Sequence, residues 1–212
     1  YLADHKGRDI RLAYADAVTG PWKIHVPGTL RIEDSYFLTS QPEVSAEQRG
    51  QYQAYFAGTG EQFPHDRMID LTVPHIASPD VHVDDANQRI VMYYHGLDAL
   101  ASQVSRVAVS SDGINFVARP EILGRTYWRG FDWQGQRYGL AMPGQFYRSE
   151  DPFSGFVKGP LLFNPKMRHC AVMLRNNESW VFCTQAADAP EHTKSSTLHL
   201  SGGWMGWQQV DQ

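Results

Sequence analysis

A short cluster near the C-terminal end of the chain, Asp188-Ala189-Pro190-Glu191-His192, holds the residue types best suited to acid–base chemistry. Two carboxylates stand three residues apart in a segment that the proline bends. Hydrolysis of a glycosidic bond uses two such groups, with the carboxyls roughly 5–10 Å apart across the sugar. Asp188 and Glu191 are therefore predicted catalytic residues. The alternative interpretation is that Asp188 forms a turn and Glu191 is a solvated surface charge.

Two arginines are candidates for binding an anionic group. Arg129 and Arg168 each stand at the beginning of a β-like run. The planar guanidinium matches a carboxylate or a sulfate with two parallel hydrogen bonds, so convergent arginines would suit a uronic acid or a sulfated substrate. The alternative interpretation is that each arginine pairs with an acidic neighbour from the next sheet.

Four histidines and one tryptophan complete the candidate ligand-binding residues, which are His75, His95, Trp128, His169 and His192. Trp128 could stack on a sugar face, or it could pack between sheets. His169 is a candidate ligand for a metal ion in a central channel. No spacing of His and Asp in the chain is a metal-binding signature, however, so no cofactor is predicted.

A pattern that occurs four times indicates which elements position these residues. In each copy a short apolar strand runs into a tight polar turn and then an aromatic residue, at Leu12–Trp22, Val107–Phe116, Phe146–Phe156 and Leu198–Trp207. Repeats of roughly 40–50 residues are typical of a β-propeller, whose blade is a four-stranded antiparallel sheet. Helix signals are nearly absent. The predicted fold class is therefore all-β, of the propeller type.

The strand-like runs group into blades at about residues 75–118, 127–157 and 168–210, within a single domain. Residues 1–30 supply three strands of a further blade and lack its innermost strand. We therefore expect about four blades of a five-bladed propeller, with a missing chain segment or a second copy covering the open edge. A four-bladed closure is the alternative. Residues 31–74 do not fit the repeat and are predicted to form a long inter-blade loop, or a degenerate blade with a strand over Gln51–Ala57.

Propeller geometry places many of the candidates on one face, because the innermost strands begin there and the loops between second and third strands return to it. The innermost strands begin near His75, Asp80, Arg129, Arg168 and His169. The returning loops hold His5, His95, Asp188, Glu191 and His192. A shared pocket is predicted on this top face, where Asp80 would orient the ligand. The alternative is that histidines are merely tolerated in polar loops.

The composition excludes several classes of partner. Apolar residues make up 42% of the chain and charged residues 20%, which is ordinary for a globular protein. A net charge of −4 with no run of Lys or Arg argues against a nucleic-acid surface, and no apolar stretch approaches about 18 residues, so no membrane span is predicted. The expected partner is a carbohydrate or another small polar ligand. The chain opens on Tyr1–His5, a strand-like run without an initiator Met, which predicts a piece of a longer protein.

The two cysteines lie on a predicted hairpin that turns at Asn176-Asn177. A two-residue turn there places Cys170 opposite Cys183, at a non-hydrogen-bonded pair where side chains approach most closely. One interpretation is a disulfide. The favoured interpretation is two small buried apolar side chains, because free cysteine packs well in cores.

Several of these segments resemble the five-bladed propeller glycosidases of glycoside hydrolase family 43 and its relatives, which include arabinofuranosidases, xylosidases and arabinanases. Ser78–Asp85 followed by Ile90–Gly96 is similar to one of their blades, Arg11–Trp22 is similar to their third strand and turn, and Arg168–Val172 resembles the start of a blade that places a His on the central channel. The resemblance implies a glycosidase-like pocket on the top face of a divergent and incomplete member.

The catalytic residues of that superfamily cannot all be transferred to this chain. The resemblance implies three carboxylates at the channel ends of inner strands, but Ser78-Pro79 replaces the expected Asp-Pro, and Tyr127-Trp128-Arg129 stands where a Glu-Gly-Pro is expected. The favoured function is a glycoside hydrolase-like protein that acts on or binds a carbohydrate. The alternatives are a sugar-binding propeller without activity and an interaction scaffold that uses the stretch from residue 31 to residue 74.

Overall fold

The computed structural model describes residues 1–59 and 66–210, which fold into four antiparallel sheets. The first sheet pairs β1 (Asp9–Tyr14) with β2 (Lys23–Arg31), and an isolated bridge adds Leu2 beside Arg11. Three four-stranded sheets follow, each with its strands paired in chain order. The prediction of a mostly β, propeller-like fold is therefore confirmed at the level of the sheets.

The three four-stranded sheets are built from β3 to β14. The first contains β3 (Ile76–Asp84), β4 (Arg89–Ala99), β5 (Ser102–Ser110) and β6 (Val117–Ala118). The second contains β7 (Arg129–Trp133), β8 (Gln136–Ala141), β9 (Gln145–Ser149) and β10 (Val157–Leu161). The third contains β11 (Met167–Arg175), β12 (Glu178–Gln185), β13 (Lys194–His199) and β14 (Gln209–Val210).

Neighbouring sheets pack face to face through three apolar clusters. Ile10 and Leu30 of the two-stranded sheet share a cluster with Met92 of the sheet formed by β3–β6. Trp128 fills the next interface, and a Cβ on Gly139 would lie only 1.9 Å from its ring, so the glycine makes room for the indole. The last cluster joins β7–β9 to β11–β13. The sheets are therefore stacked in chain order, as the blades of a propeller are.

The stretch between β2 and β3 contains helices, which the sequence reading did not predict. Helix α1 (Ala46–Gly58) begins at a capping box in which Ser45 and Gln48 exchange side-chain and backbone hydrogen bonds. The predicted alternative of a strand over Gln51–Ala57 is therefore wrong. Helix α2 (Met68–Thr72) follows, and residues 60–65 lie outside the described part of the chain. Neither helix is long and apolar enough to span a bilayer.

The predicted hairpin of β11 and β12 forms with the expected register near its turn, where Ala171 pairs with Phe182 and Arg175 with Glu178. The register then shifts between Arg168 and Ala171, so a bulge separates Cys170 from direct pairing. Both cysteines are free and buried. Burial raises the pKa of the Cys170 thiol to about 12, which suits a small apolar side chain in the core.

Candidate functional site

Each innermost strand of the four-stranded sheets is preceded or interrupted by a residue in the left-handed backbone region. These residues are Ser78 (φ 52°), Tyr127 (φ 57°) and His169 (φ 47°). In β3 and β11 the residue coincides with a register shift. Side chains other than glycine rarely adopt this conformation, and such bulges turn a side chain away from its ladder position. Tyr127 and His169 place two of the kinks at a common centre, where their ring centroids lie 4.6 Å apart.

A cluster of aromatic rings lies at this centre, and we call it the ring cluster: His5, His75, His95, Tyr127 and His169. Tyr127 is its hub, with ring centroids 4.6 Å from both His95 and His169 and 6.5 Å from His5. His75 joins through His95 at 5.8 Å. The structure thus brings together four of the five histidines that were assigned to one face.

Three histidines of the ring cluster, His75, His95 and His169, have a pKa below the usual value, which favours the neutral imidazole. Burial lowers the pKa of His95 well below its usual value, and the neighbouring His75 lowers it further. Burial also lowers the pKa of His75 and of His169. A guanidinium can only donate, so the 2.7 Å contact from Arg168 Nη2 makes His169 Nε2 an acceptor, as in a neutral imidazole.

A cavity of about 790 Å³ lies beside the ring cluster on the same face, and His5, Tyr127 and Arg168 form part of its wall. Its remaining wall comes from α2, from the turns after β4, β8 and β12, and from the segments that precede β7 and β11. The volume is in the range of sites that bind small molecules in proteins. Residues near inner-strand starts and in the returning loops therefore line the same cavity.

The wall of the cavity is cationic. Its charged side chains are five cations, Lys6, Arg67, Arg125, Lys166 and Arg168, and one carboxylate, Asp70. Asp70 pairs with Lys6 at 3.4 Å and with Arg67 at 3.6 Å. The arrangement can attract an anionic group, because clustered like charges in a concave wall reinforce one another.

The segments that carry these cations are tied to the sheets. The Ser105 hydroxyl donates to the Arg125 carbonyl at 2.7 Å, and the Ala186 N–H donates to the Lys166 carbonyl at 2.8 Å. Such anchoring fixes the backbone from which each side chain projects. The cationic wall is therefore part of the scaffold.

Two predicted site residues, Trp128 and Arg129, serve the packing between sheets in this structure. Trp128 is 1% exposed and lies against the rings of Tyr147 and Phe156, so it offers no face to a ligand. Arg129 donates to the Cys170 carbonyl at 2.9 Å and to the Trp128 carbonyl at 2.7 Å. The expected acidic partner of Arg129 is replaced by backbone oxygens.

Asp80 also bridges two sheets. Its Oδ2 accepts the Gly130 N–H at 2.7 Å and contacts His82 Nε2 at 2.9 Å. This carboxylate therefore ties β3 to β7, and it does not line the cavity wall.

The C-terminal carboxylate cluster lies near the ring cluster but outside the cavity wall. Asp188 pairs with Lys194 at 2.8 Å, which suits the interpretation of Asp188 as a turn residue. Glu191 is exposed and raises the pKa of His169, which offsets part of the lowering caused by burial. His192 is exposed, and the ring contacts of the described residues do not include it.

The sequence reading missed most of the cavity wall. Lys6 follows His5 directly, and Arg125 and Lys166 stand two residues before Tyr127 and Arg168, so proximity to inner-strand starts was an available signal. Arg67 and Asp70 come from α2 and its N-terminal flank, in the stretch that was predicted to be a loop. Across residues 1–59 and 66–210, no group of three or more His, Cys, Asp or Glu side chains is arranged to hold a metal ion.

Comparison with known proteins supports the description of the fold. No protein-family model matches the chain. The chain is 26% identical over 229 residues to uncharacterized protein R118 of Acanthamoeba polyphaga mimivirus, in an alignment that covers 98% of this chain and 56% of that protein. The chain therefore spans little more than half the length of this relative.

Among solved structures, the chain is similar to CoXyl43, a family 43 β-xylosidase/α-arabinofuranosidase from a compost microbial metagenome, with a TM-score of 0.59 and 12% identity. The match covers 96% of this chain and 66% of that one. An α-L-arabinofuranosidase from Lactobacillus brevis matches over 70% of this chain and 58% of its own, with 13% identity and a TM-score of 0.45. At such identities it is the fold that is shared, and the chain has the propeller-like fold of a family 43 glycoside hydrolase.

Proposed function

We propose that the chain belongs to a glycoside hydrolase-like protein that binds a carbohydrate in the cavity beside the ring cluster. The cavity itself carries the proposal, because it opens at the inner-strand starts of a family 43 fold and has the volume of a small-molecule site. The CoXyl43 structure is a complex with xylotriose, which supports a sugar as the class of ligand here.

A cavity-filling variant of the full-length protein tests this proposal. Ala186 lines the cavity, so Ala186→Trp should abolish oligosaccharide binding measured by calorimetry. Ala46→Trp is the matched control, because Ala46 is exposed at the start of α1. Equal binding by both variants would place any carbohydrate site elsewhere.

Hydrolysis of a glycosidic bond requires two carboxyl groups at the site. Asp70 is the carboxylate of the described cavity wall, and Glu191 acts electrostatically on His169 of the ring cluster. We assign the acid–base pair to these two residues, because Asp70 lines the cavity and Glu191 acts on the adjoining ring cluster. In the full-length protein, Asp70→Asn and Glu191→Gln should each lower kcat on aryl glycosides by at least about a hundredfold, whereas Asp188→Asn should not. Binding without turnover in the wild-type protein would instead identify a sugar-binding propeller.

We also propose that the intact protein is a five-bladed propeller, with further chain between the first and last sheets of the stack. Large apolar side chains are exposed on both end sheets, with Ile24 of β2 at 70% and Met173 of β11 at 45%. The chain covers 66% of CoXyl43, which leaves room for such a segment in a complete relative. A second copy of the chain is the alternative cover.

A further inference from the structure

The charge of the cavity wall is opposite to the charge of the chain. The chain carries a net charge of −4, whereas five cations and one carboxylate line the cavity. Like charges held together on a concave surface repel one another, so the arrangement carries a cost that an anionic ligand would relieve. A cavity for a neutral sugar does not require this distribution.

Three of the five cations have no carboxylate partner within the described residues. Lys6 and Arg67 contact Asp70, but Arg125, Lys166 and Arg168 form no ion pair with any carboxylate in residues 1–59 and 66–210. Arg125 and Lys166 are exposed, and each projects from a segment anchored by a backbone hydrogen bond. The wall therefore presents positive charge that no carboxylate of the described residues neutralises.

Arg168 has the geometry to orient an oxyanion. One arm of its guanidinium donates to His169 at 2.7 Å, which fixes the plane of the group beside the ring cluster. Its Nε is buried without an acceptor among the described residues, so the hydrogen-bonding capacity of the group is not met by the chain. A planar guanidinium held in this way matches the paired oxygens of a carboxylate or a sulfate.

We infer that the cavity selects an anionic carbohydrate, a sugar bearing a carboxylate or a sulfate ester, whose acidic group binds among Arg125, Lys166 and Arg168. This inference rests on the proposed function and adds to it the class of sugar. Arg129, the other arginine expected in the pocket, takes no part in this site, because it binds backbone carbonyls between sheets.

The experiment compares matched sugars on the full-length protein by calorimetry. The probes are an oligogalacturonate, the same oligosaccharide with its carboxyl groups reduced to alcohols, and a sulfated galactan oligosaccharide. We expect at least one acidic probe to bind about tenfold or more tightly than the reduced one, with affinity that falls as NaCl rises. The acidic probe that binds more tightly distinguishes a carboxylate from a sulfate ester.

Single substitutions test whether the acidic group binds at the proposed cations. Arg125→Gln and Lys166→Gln should each weaken binding of the acidic probe about tenfold and weaken binding of the reduced probe much less. Lys158→Gln is the matched control, because Lys158 is an exposed cation on β10, outside the cavity. Thermal unfolding confirms that each variant is folded.

Two outcomes distinguish failure of the anionic-sugar inference from failure of the proposed carbohydrate binding. Equal affinity for the acidic and reduced probes would overturn the selection of an anionic sugar and leave the proposed function standing. The absence of binding by every oligosaccharide would overturn both.

Discussion

The ring cluster owes its properties to single residues that are placed against their ordinary preferences. Tyr127 and His169 adopt left-handed backbone conformations, and their ring centroids lie 4.6 Å apart. His95 is 1% exposed, and neither of its ring nitrogens has a hydrogen-bond partner in the described residues. Unsatisfied buried groups and strained residues concentrate at functional sites, so these features mark the same place as the cavity.

The neutral state of His95 predicts a pH dependence of stability. Every group that shifts His95 electrostatically is a histidine or a cation, namely His5, Lys6, His75 and Arg129, so each opposes its protonation. Above about pH 6.5 the histidine is neutral in both states and contributes nothing. As pH falls from about 6.5 to 5, the unfolded chain takes up a proton that folded His95 refuses, and the free energy of unfolding decreases by up to about 1.4 kcal/mol per pH unit.

Urea unfolding at about pH 7.5, 6.5 and 5.5 measures this dependence. In His95→Gln the decrease below about pH 6.5 should be smaller by about 1 kcal/mol per pH unit, because one proton-uptake site is gone. Replacement of an exposed histidine, His192→Gln, is the control. An unchanged slope in His95→Gln would show that His95 is protonated in the folded protein.

At the scale of the elements, polar groups near the centre of the stack tie one inner strand to the next. Asp80 links β3 to β7 through the Gly130 N–H, and Arg129 links β7 to β11 through the Cys170 carbonyl. Such links satisfy backbone groups that the kinked strand starts leave without ladder partners. Asp80 and Arg129, which were predicted to contact a ligand, thus tie neighbouring sheets together in this structure.

The bridging role of Asp80 predicts a loss of stability without a loss of binding. Asp80→Ala removes the acceptor of a partly buried N–H and should lower the free energy of unfolding by about 2 kcal/mol, whereas Asp80→Asn keeps an acceptor and should cost less than about 1 kcal/mol. Urea unfolding and oligosaccharide calorimetry measure the two effects. If Asp80→Asn abolished binding while stability stayed unchanged, the carboxylate would act on the ligand.

Helix α1 has one of the two usual sequence signals of a helix and lacks the other. The Ser45-x-x-Gln48 capping box is visible in the sequence and marks a helix start. The helix buries none of its residues, so it lacks the apolar stripe by which helices are usually recognised. Its polar and aromatic residues were therefore compatible with a loop or a strand.

At the scale of the whole molecule, the stack of sheets has two unequal ends. The first sheet has two strands and the last has four, and both expose large apolar side chains. Apolar surface of this kind generally marks an interface. The fifth blade that we propose would cover both ends at once.

Cysteine labelling of the full-length protein tests this closure. Ile24→Cys and Met173→Cys should react with a thiol reagent at least about tenfold more slowly than Val18→Cys, because Val18 is 91% exposed in the turn between β1 and β2. The native cysteines are buried and add little background. Labelling at equal rates in dilute protein would mean that the end sheets are open to solvent.

The elements of this protein follow from short-range patterns. Short apolar runs that end in tight polar turns predicted the strands, since such patterns act over a few residues. The repeat then predicted which strand starts and loops lie on one face, because strand direction determines which loops meet.

The composition of the pocket required the folded chain. Lys6, Arg125 and Lys166 come from three separate segments, and in the sequence only their proximity to predicted top-face residues distinguishes them from solvated surface charges. Asp80, Trp128 and Arg129 lie at the predicted strand starts, yet the strand kinks turn them toward neighbouring sheets. Sequence patterns indicate the direction of a strand. The direction in which a side chain points depends also on bulges and on packing between distant segments, which only folding brings into contact.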